Sequence, residues 1–328
     1  MSKLALAIHG GAGTILRSQM TPELEAEYRD GLNEALERGW TVLSSGGSSL
    51  DAVQEAVCSL EDFPLFNAGR GSVFTHEGKN EMDAAIMDGH LLKAGAVGFV
   101  KNVKNPVKLA RLVMERTAHV FLGGKGADQF ALEMGIEMAD DAYFFTEHRY
   151  EQLLRAREEG VVQLDHTADE PQIVADAELD LAIDKKQIHQ GKPMGTVGAV
   201  ACDVNGHLAA ATSTGGMSNK KFGRIGDTPI IGAGTYADDV CAVSGTGYGE
   251  YFMLGVTAYD VAARMKYEGV SLERASSAAI ERLGEIGGDG GLIAVDAAGN
   301  VALPFNCEGM YRGFVRGDGA IEIDIYRG

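Results

Sequence analysis

Cysteine, proline, tryptophan and positive charge are all scarce in this chain of 328 residues, which has four Cys, seven Pro, one Trp and 29 Lys+Arg against 47 Asp+Glu. Cys58, Cys202, Cys241 and Cys307 lie far apart, in no CxxC pair and no Cys/His spacing suited to zinc. They are expected to be buried free thiols in a reducing compartment. A net charge of −18 repels phosphate backbones and argues against nucleic acid as a partner. No stretch reaches the roughly 18 apolar residues of a membrane span, and the apolar run Leu4 to Ile8 is too short for a signal-peptide core. The cytoplasm is therefore the expected location, with no membrane partner. With so little proline and no triplet period, the 44 Gly read as tight turns and close backbone approaches, not as collagen.

Several catalytic signatures are missing too. There is no GxSxG elbow, no HExxH and no GxxxxGK[ST], and the glycines of His9 to Gly13 do not make a GxGxxG. The histidines at 9, 76, 90, 119, 148, 166, 189 and 207 are scattered, so a Ser/Cys-His dyad could only be chosen arbitrarily. His9 alone stands out, beside two glycines.

What is present is ordinary globular texture, 45% hydrophobic and 23% charged. Leu4 to Ile8 reads as a buried strand that starts the central sheet. Thr21-Pro22 predicts a helix start, with Leu24, Tyr28, Leu32, Leu36 and Leu43 following at helical spacing; a second helix starts at Ser48 and stops before Pro64, and a third follows Asn105-Pro106. Strands are predicted around Ala84 to Met87 and Ala94 to Val100. Residues 157 to 192 are acidic without an apolar period and read as a linker. Beyond it VGAVACDV, Asn205-Gly206 and HLAAATST predict a hairpin with a type I′ turn, and LIAVDAAGNVALPF a second turn at Gly299-Asn300. Helices are predicted from Glu250 to Tyr267 and from Ser271 to Leu283. Helices and strands come in groups, with hairpins between neighbours, which favours an α+β protein of layers α, β, β and α.

Thr196 sits where the linker meets a strand, and the plain reading is a strand-entry residue. Gly195 before it leaves the preceding carbonyl unshielded, so Thr196 Oγ could attack it. Thr212 to Gly216 form a polar strand end, Ser244 to Gly247 supply hydroxyl and N–H donors before a predicted helix, Arg224 and Asp227 make a surface ion pair on the plain reading, and Asn67 a turn residue.

GTVGAVACDVNGHLAAATSTGGMSNKKFGRIGDTPIIGAGTYAD resembles the nucleophile region of the isoaspartyl peptidase/plant-type L-asparaginase family, the threonine type of N-terminal nucleophile hydrolase. IHGGAG, PLFNAGRGSVF at 64 to 74, MDAAIMDG at 82 to 89, LKAGAVG at 92 to 98, SGTGYGE at 244 to 250 and GGDGGLIAVD at 287 to 296 are similar to the family's other blocks, in order. The resemblance implies a four-layer αββα sandwich and self-cleavage between Gly195 and Thr196. An α subunit of 1 to 195 and a β subunit of 196 to 328 would result, together one catalytic domain. It implies Thr196 as nucleophile with its freed α-amine as base, Thr214 and Asn67 beside it, and Thr246 and Gly247 as the oxyanion hole. Arg224 is implied to clamp a substrate α-carboxylate and Asp227 its α-ammonium, with Thr246, Gly247 and Gly249 also at the substrate. No cofactor is required. A structural sodium ion is implied on the main-chain carbonyls of Leu60, Phe63, Phe66, Ala68 and Arg70, and a homodimer of αβ units is expected. Substrates would be L-asparagine and β-aspartyl dipeptides. The departure is Pro193-Met194 before Gly195, where the family commonly has a histidine or acidic residue. Glycosylasparaginase chemistry of the same fold, a non-catalytic small-molecule binder and a cysteine hydrolase are the alternatives.

Overall fold

The computed structural model describes residues 3–160, 162 and 195–327. In chain order the strands are β1 (Ala5–Gly13), β2 (Met82–Asp88), β3 (Lys93–Val100), β4 (Phe121–Gly123), β5 (Val197–Cys202), β6 (Leu208–Thr214), β7 (Thr235–Ala237), β8 (Cys241–Gly247), β9 (Gly290–Asp296), β10 (Val301–Ala302), β11 (Gly309–Arg316) and β12 (Ala320–Tyr326). The helices are α1 (Pro22–Ser44), α2 (Ser49–Asp62), α3 (Pro106–Arg116), α4 (Gly124–Glu133), α5 (Asp141–Phe144), α6 (Glu147–Glu158), α7 (Gly249–Gly255), α8 (Thr257–Ala263) and α9 (Leu272–Glu285). Thr21 and Ser48 cap α1 and α2 through their side chains, and Pro106 opens α3, as their sequences predict.

An eight-stranded sheet runs β12-β11-β1-β5-β6-β2-β3-β4, and a four-stranded sheet β10-β9-β8-β7. Alternation along each strand builds the layers. Leu6 and Ile8 of β1 and Ala199 and Ala201 of β5 join the core under α1, α2 and α3. Ala5 and Ala7 of β1, Val200 and Cys202 of β5, and Ala210 of β6 point the other way, meeting Ala242, Ile293 and Val295 of the second sheet. On that sheet's far face Val243, Leu292 and Ala294 pack under α8 and α9. Both faces of β1, β5 and β6 are therefore buried, which is why they read as continuous apolar runs. The result is the four-layer αββα sandwich, and the small residues of the middle layer let the two sheets approach closely.

Three local expectations are corrected. The Asn205-Gly206 hairpin is not type I′: only Gly206 has positive φ (81°), and Gly206 N–H donates to Asp203 O while Asp203 N–H donates to His207 O. This is a type I turn closed by a left-handed glycine. The helix predicted over Glu250 to Tyr267 is broken at Val256, which is left-handed with φ 48° and separates α7 from α8; the final turn, Arg264–Glu268, is a π-helix. The charged stretch at 155 to 158 is the end of α6, not linker, and most of the predicted linker at 157 to 192 lies outside the described residues. The same holds for Pro193 and Met194.

Candidate active site

The alternation that builds the layers also assembles the site. Thr196 shares the parity of Val200 and Cys202, Thr212 and Thr214 that of Ala210, and His9 that of Ala5 and Ala7, so all four side chains enter the layer between the sheets. Thr235, Ser244 and Thr246 face the same layer from β7 and β8, and every one of these groups is buried.

The Gly195 carbonyl, the bond partner of Thr196, is held by two donors. Asn67 Nδ2 donates to it at 2.8 Å and Thr214 Oγ1 at 3.1 Å. Thr196 Oγ1 in turn donates to Thr214 Oγ1 at 3.1 Å. Asn67 is itself pinned: its Oδ1 accepts from Val73 N–H at 3.0 Å, and its second Nδ2 hydrogen goes to Gly216 O at 2.7 Å. The amide can therefore face Gly195 only with its nitrogen. Sequence-based placement of Thr196, Thr214, Asn67 and Gly195 in one cluster matches this geometry.

Behind Thr196 lies a relay that sequence reading assigned no function. His9 Nδ1 is 3.0 Å from Thr196 O, and His9 Nε2 is 2.9 Å from Ser244 Oγ. Ser244 Oγ is 2.7 Å from Thr212 Oγ1, and Thr235 Oγ1 is 2.6 Å from Thr212 Oγ1. A carbonyl only accepts, so His9 carries its proton on Nδ1 and accepts at Nε2; the hydroxyls then donate in order from Thr235 through Thr212 and Ser244 to His9. Burial lowers the His9 pKa to about 3, against the opposing pull of its bond to Thr196 O, so the ring is neutral throughout the physiological range. His9, Gly198 and Thr212 lie in one row across β1, β5 and β6. A Cβ at position 198 would lie 2.0 Å from Ser244 Oγ and 2.5 Å from His9 Nε2. Gly198→Ala is thus expected to lose about 3 kcal/mol of stability, at the upper end of overpacking costs, and to slow any reaction at Thr196. Denaturant midpoints measure the first; an unchanged midpoint would contradict the relay's tight fit.

Arg224 and Asp227 converge on Gly249, the first residue of α7: a Cβ there would meet Asp227 Oδ1 at 2.7 Å and Arg224 Nη2 at 2.9 Å. They do not form the surface ion pair of the plain reading. Arg224 instead makes a two-pronged pair with Glu250, Nε to Oε1 at 2.9 Å and Nη2 to Oε2 at 2.8 Å, which fixes its guanidinium plane. Glu250 had no place in the sequence argument, because nothing marks a carboxylate 26 positions away as the partner. Asp227 is buried with Oδ2 unpartnered among the described residues. Burial pushes its carboxyl up to about 7, although nearby Arg224 pulls the other way. A buried carboxylate short of partners is costly unless something cationic joins it.

Thr246 Oγ1 is likewise buried without a hydrogen-bond partner among the described residues. Thr246 and Gly247 end strand β8, with α7 beginning only at Gly249 after its cap Tyr248. These donors therefore sit just before a helix, as their sequence predicts, and at the end of a strand.

The cysteines offer no competing nucleophile. All four are free and buried, and burial raises each thiol, Cys202 to about 11 and Cys307 to about 12, away from the thiolate that attacks. In the loop of residues 60 to 70 the Pro64 and Phe66 carbonyls converge on Gly71, where a Cβ would lie 2.5 Å and 2.1 Å from them. No helix among the described residues is long and apolar enough to cross a membrane.

Comparison with known proteins identifies the family. The asparaginase family description matches residues 2–325. The isoaspartyl peptidase of Escherichia coli (strain K12) is 50% identical, over 100% of this chain and 97% of that protein. The isoaspartyl peptidase/L-asparaginase of Xenopus laevis is 43% identical, over 99% and 96%. The plant-type L-asparaginase of Pyrococcus abyssi (strain GE5 / Orsay) is 42% identical, over 95% and 96%. A match along almost the whole chain, on a four-layer sandwich with threonine hydroxyls gathered between its sheets, means that this protein belongs to the asparaginase family of N-terminal nucleophile hydrolases.

Proposed function

We propose that this protein cuts itself between Gly195 and Thr196 and then hydrolyses L-asparagine and β-aspartyl dipeptides to L-aspartate, with Thr196 as nucleophile. The observation that carries the reading is the Gly195 carbonyl held by Asn67 and Thr214 while Thr196 Oγ1 donates to the same Thr214.

In the first reaction Thr196 Oγ attacks the Gly195 carbonyl carbon. Its proton passes to Thr214 Oγ, and Thr214's own proton goes to the carbonyl oxygen as the C–O bond forms. The C–N bond then breaks as the oxygen gives its proton up to the departing nitrogen and the carbonyl re-forms, and an ester remains. Water hydrolyses the ester, leaving a Gly195 carboxylate and a Thr196 with a free α-amine. Asn67 Nδ2 stabilises the oxygen while charge develops on it. His9 holds the Thr196 carbonyl so that the residue does not swing away from its target.

In the second reaction the α-amine, of intrinsic pKa roughly 7.7 to 8.0, accepts the Thr196 hydroxyl proton as Oγ attacks the substrate's side-chain carbonyl. Thr246 Oγ1 and Gly247 N–H receive the oxyanion. Arg224, aligned by Glu250, takes the α-carboxylate, and Asp227 supplies the charge that an α-ammonium needs. Opposite charges set around side-chain-free Gly249 read a zwitterion, so asparagine within a peptide chain is refused. A sodium ion on the carbonyls of Leu60, Phe63, Phe66, Ala68 and Arg70 would brace the loop that carries Asn67. Two αβ units are taken to pair as a homodimer.

Aspartate release by purified, cleaved protein tests the reading: L-asparagine and β-Asp-Leu should be hydrolysed and an N-acetylated, C-amidated asparagine should not. Faster release from an asparagine-linked N-acetylglucosamine than from either substrate would favour glycosylasparaginase chemistry instead. The pH profile follows from two groups with the same sign. Asp227 must be ionised and the α-amine neutral, and both conditions fail as pH falls. kcat/KM is expected to rise from pH 5 to 8 with a limb at about 7 from Asp227 and a second at roughly 7.7 to 8.0 from the amine. A profile flat down to pH 5 would remove Asp227 as the ammonium site. For stability the Asp227 shift acts oppositely. Between the ordinary carboxyl range and about 7 the native state holds a proton that the unfolded chain has released, so this group's contribution falls as pH rises.

A further inference from the structure

We propose that Met217 and Tyr248 form an apolar subsite for the side chain of the residue released from a β-aspartyl dipeptide. The proposal rests on the hydrolase reading above and adds a preference among leaving residues to it.

Both side chains belong to the segments that bracket the reacting atoms. Met217 follows Gly216, whose N–H donates to Thr214 Oγ1 at 3.0 Å and whose carbonyl accepts from Asn67. Tyr248 lies between Gly247 and Gly249, its N–H anchored on Asp289 O at 3.0 Å and its ring braced edge-on by Tyr251 at 5.2 Å between centroids. The phenol also lies within the electrostatic reach of Arg224 and Glu250.

Met217 and Tyr248 join none of the three large cores. They form a cluster of their own, and the third member is Val162, packed on buried Met217. Val162 lies four residues beyond the end of α6, on the α-subunit side of the cleavage point. The uncleaved chain thus seats one of its own aliphatic side chains on this surface. An aliphatic side chain of comparable size from a substrate can compete for the same place once the chain has matured. L-asparagine, whose leaving group is ammonia, has nothing to put there; β-Asp-Leu does.

The test is the ratio of kcat/KM values among β-Asp-Gly, β-Asp-Ala, β-Asp-Leu and β-Asp-Lys on the cleaved protein. Apolar contact of this size is expected to favour leucine over glycine about tenfold, with alanine between. Tyr248→Ser should bring the leucine-to-glycine ratio close to one. Met217→Glu should reverse the preference, favouring β-Asp-Lys over β-Asp-Leu by about tenfold. Each ratio is internal to one preparation, so partial loss of folded protein leaves it intact, and if one variant fails to mature, the other and the parent series decide. A parent that releases aspartate equally fast from all four dipeptides overturns the subsite while leaving the hydrolase reading in place, as do variants whose ratios match the parent's. Absence of aspartate from every dipeptide and from L-asparagine removes the hydrolase reading, and this proposal with it.

Discussion

A Thr196→Ala chain is expected to stay whole on a denaturing gel for days at neutral pH, while the parent separates into residues 1–195 and 196–328 with threonine at the new N-terminus. The variant lacks the hydroxyl that donates to Thr214 beside the Gly195 carbonyl, the group to which the proposal assigns the attack. Loss of a nucleophile from a cooperating set costs on the order of 10⁶ in rate. Both the cleavage and the aspartate release should therefore fall below detection. Thr196→Ser keeps the oxygen but loses the methyl that restricts χ1, so it should cleave more slowly than the parent and reach the same end point. Intact mass decides: a variant Thr196→Ala that splits at 195–196 would mean that water or another side chain attacks, and the mechanism proposed here would be wrong.

The second large effect belongs to Asn67. Its Nδ2 supplies the shorter of the two hydrogen bonds to the Gly195 oxygen, 2.8 Å against 3.1 Å for Thr214, and it is held in place by Val73 N–H and Gly216 O. Donors fixed before the reaction act at full strength when charge develops, because nothing has to reorganise. Asn67→Ala is expected to slow self-cleavage by about 10² to 10³. Asn67→Asp should be at least as slow, since a carboxylate beside a forming oxyanion repels it. The split is followed by densitometry over time, and folding is checked independently by denaturant midpoint, because Asn67 also ties its loop to Gly215 and Gly216. Parent-like cleavage by Asn67→Ala would show that Thr214 suffices. The loop's role would then be structural.

The two effects test different parts of one arrangement. Thr196 supplies bond-making, whereas Asn67 lowers the barrier to it. If Asn67→Ala is slow and Thr196→Ala inert, the uncleaved chain already holds the geometry that its first reaction needs, and the same pocket is reused once the free amine exists.

Much of this was legible in the residues themselves. Local signals are strongest where one residue's chemistry decides the backbone: Thr21 and Ser48 as helix caps, Pro106 in a first turn, and the apolar runs of β1, β5 and β6. Gly195 and Thr196, by contrast, read on their own as a strand entry with an unshielded carbonyl, and cleavage between them was what the family resemblance implied. Where a local signal was ambiguous, tertiary contacts overrode it: Val256 breaks a helical pattern by turning left-handed, and the turn after Asp203 takes a type I form in place of the mirror turn that Asn-Gly favours.

What the sequence by itself determined, then, is the caps, the apolar runs of the buried strands, and the absence of metal and dinucleotide motifs. Only the tertiary structure decided that His9, Ser244, Thr212 and Thr235 form one relay, that Glu250 and not Asp227 pairs with Arg224, and that Val162 rests on Met217. Those contacts join residues as many as 235 positions apart. A short-range pattern carries no information about them, because which side chains meet depends on strand order and register across two sheets, and these are set by packing the whole chain at once.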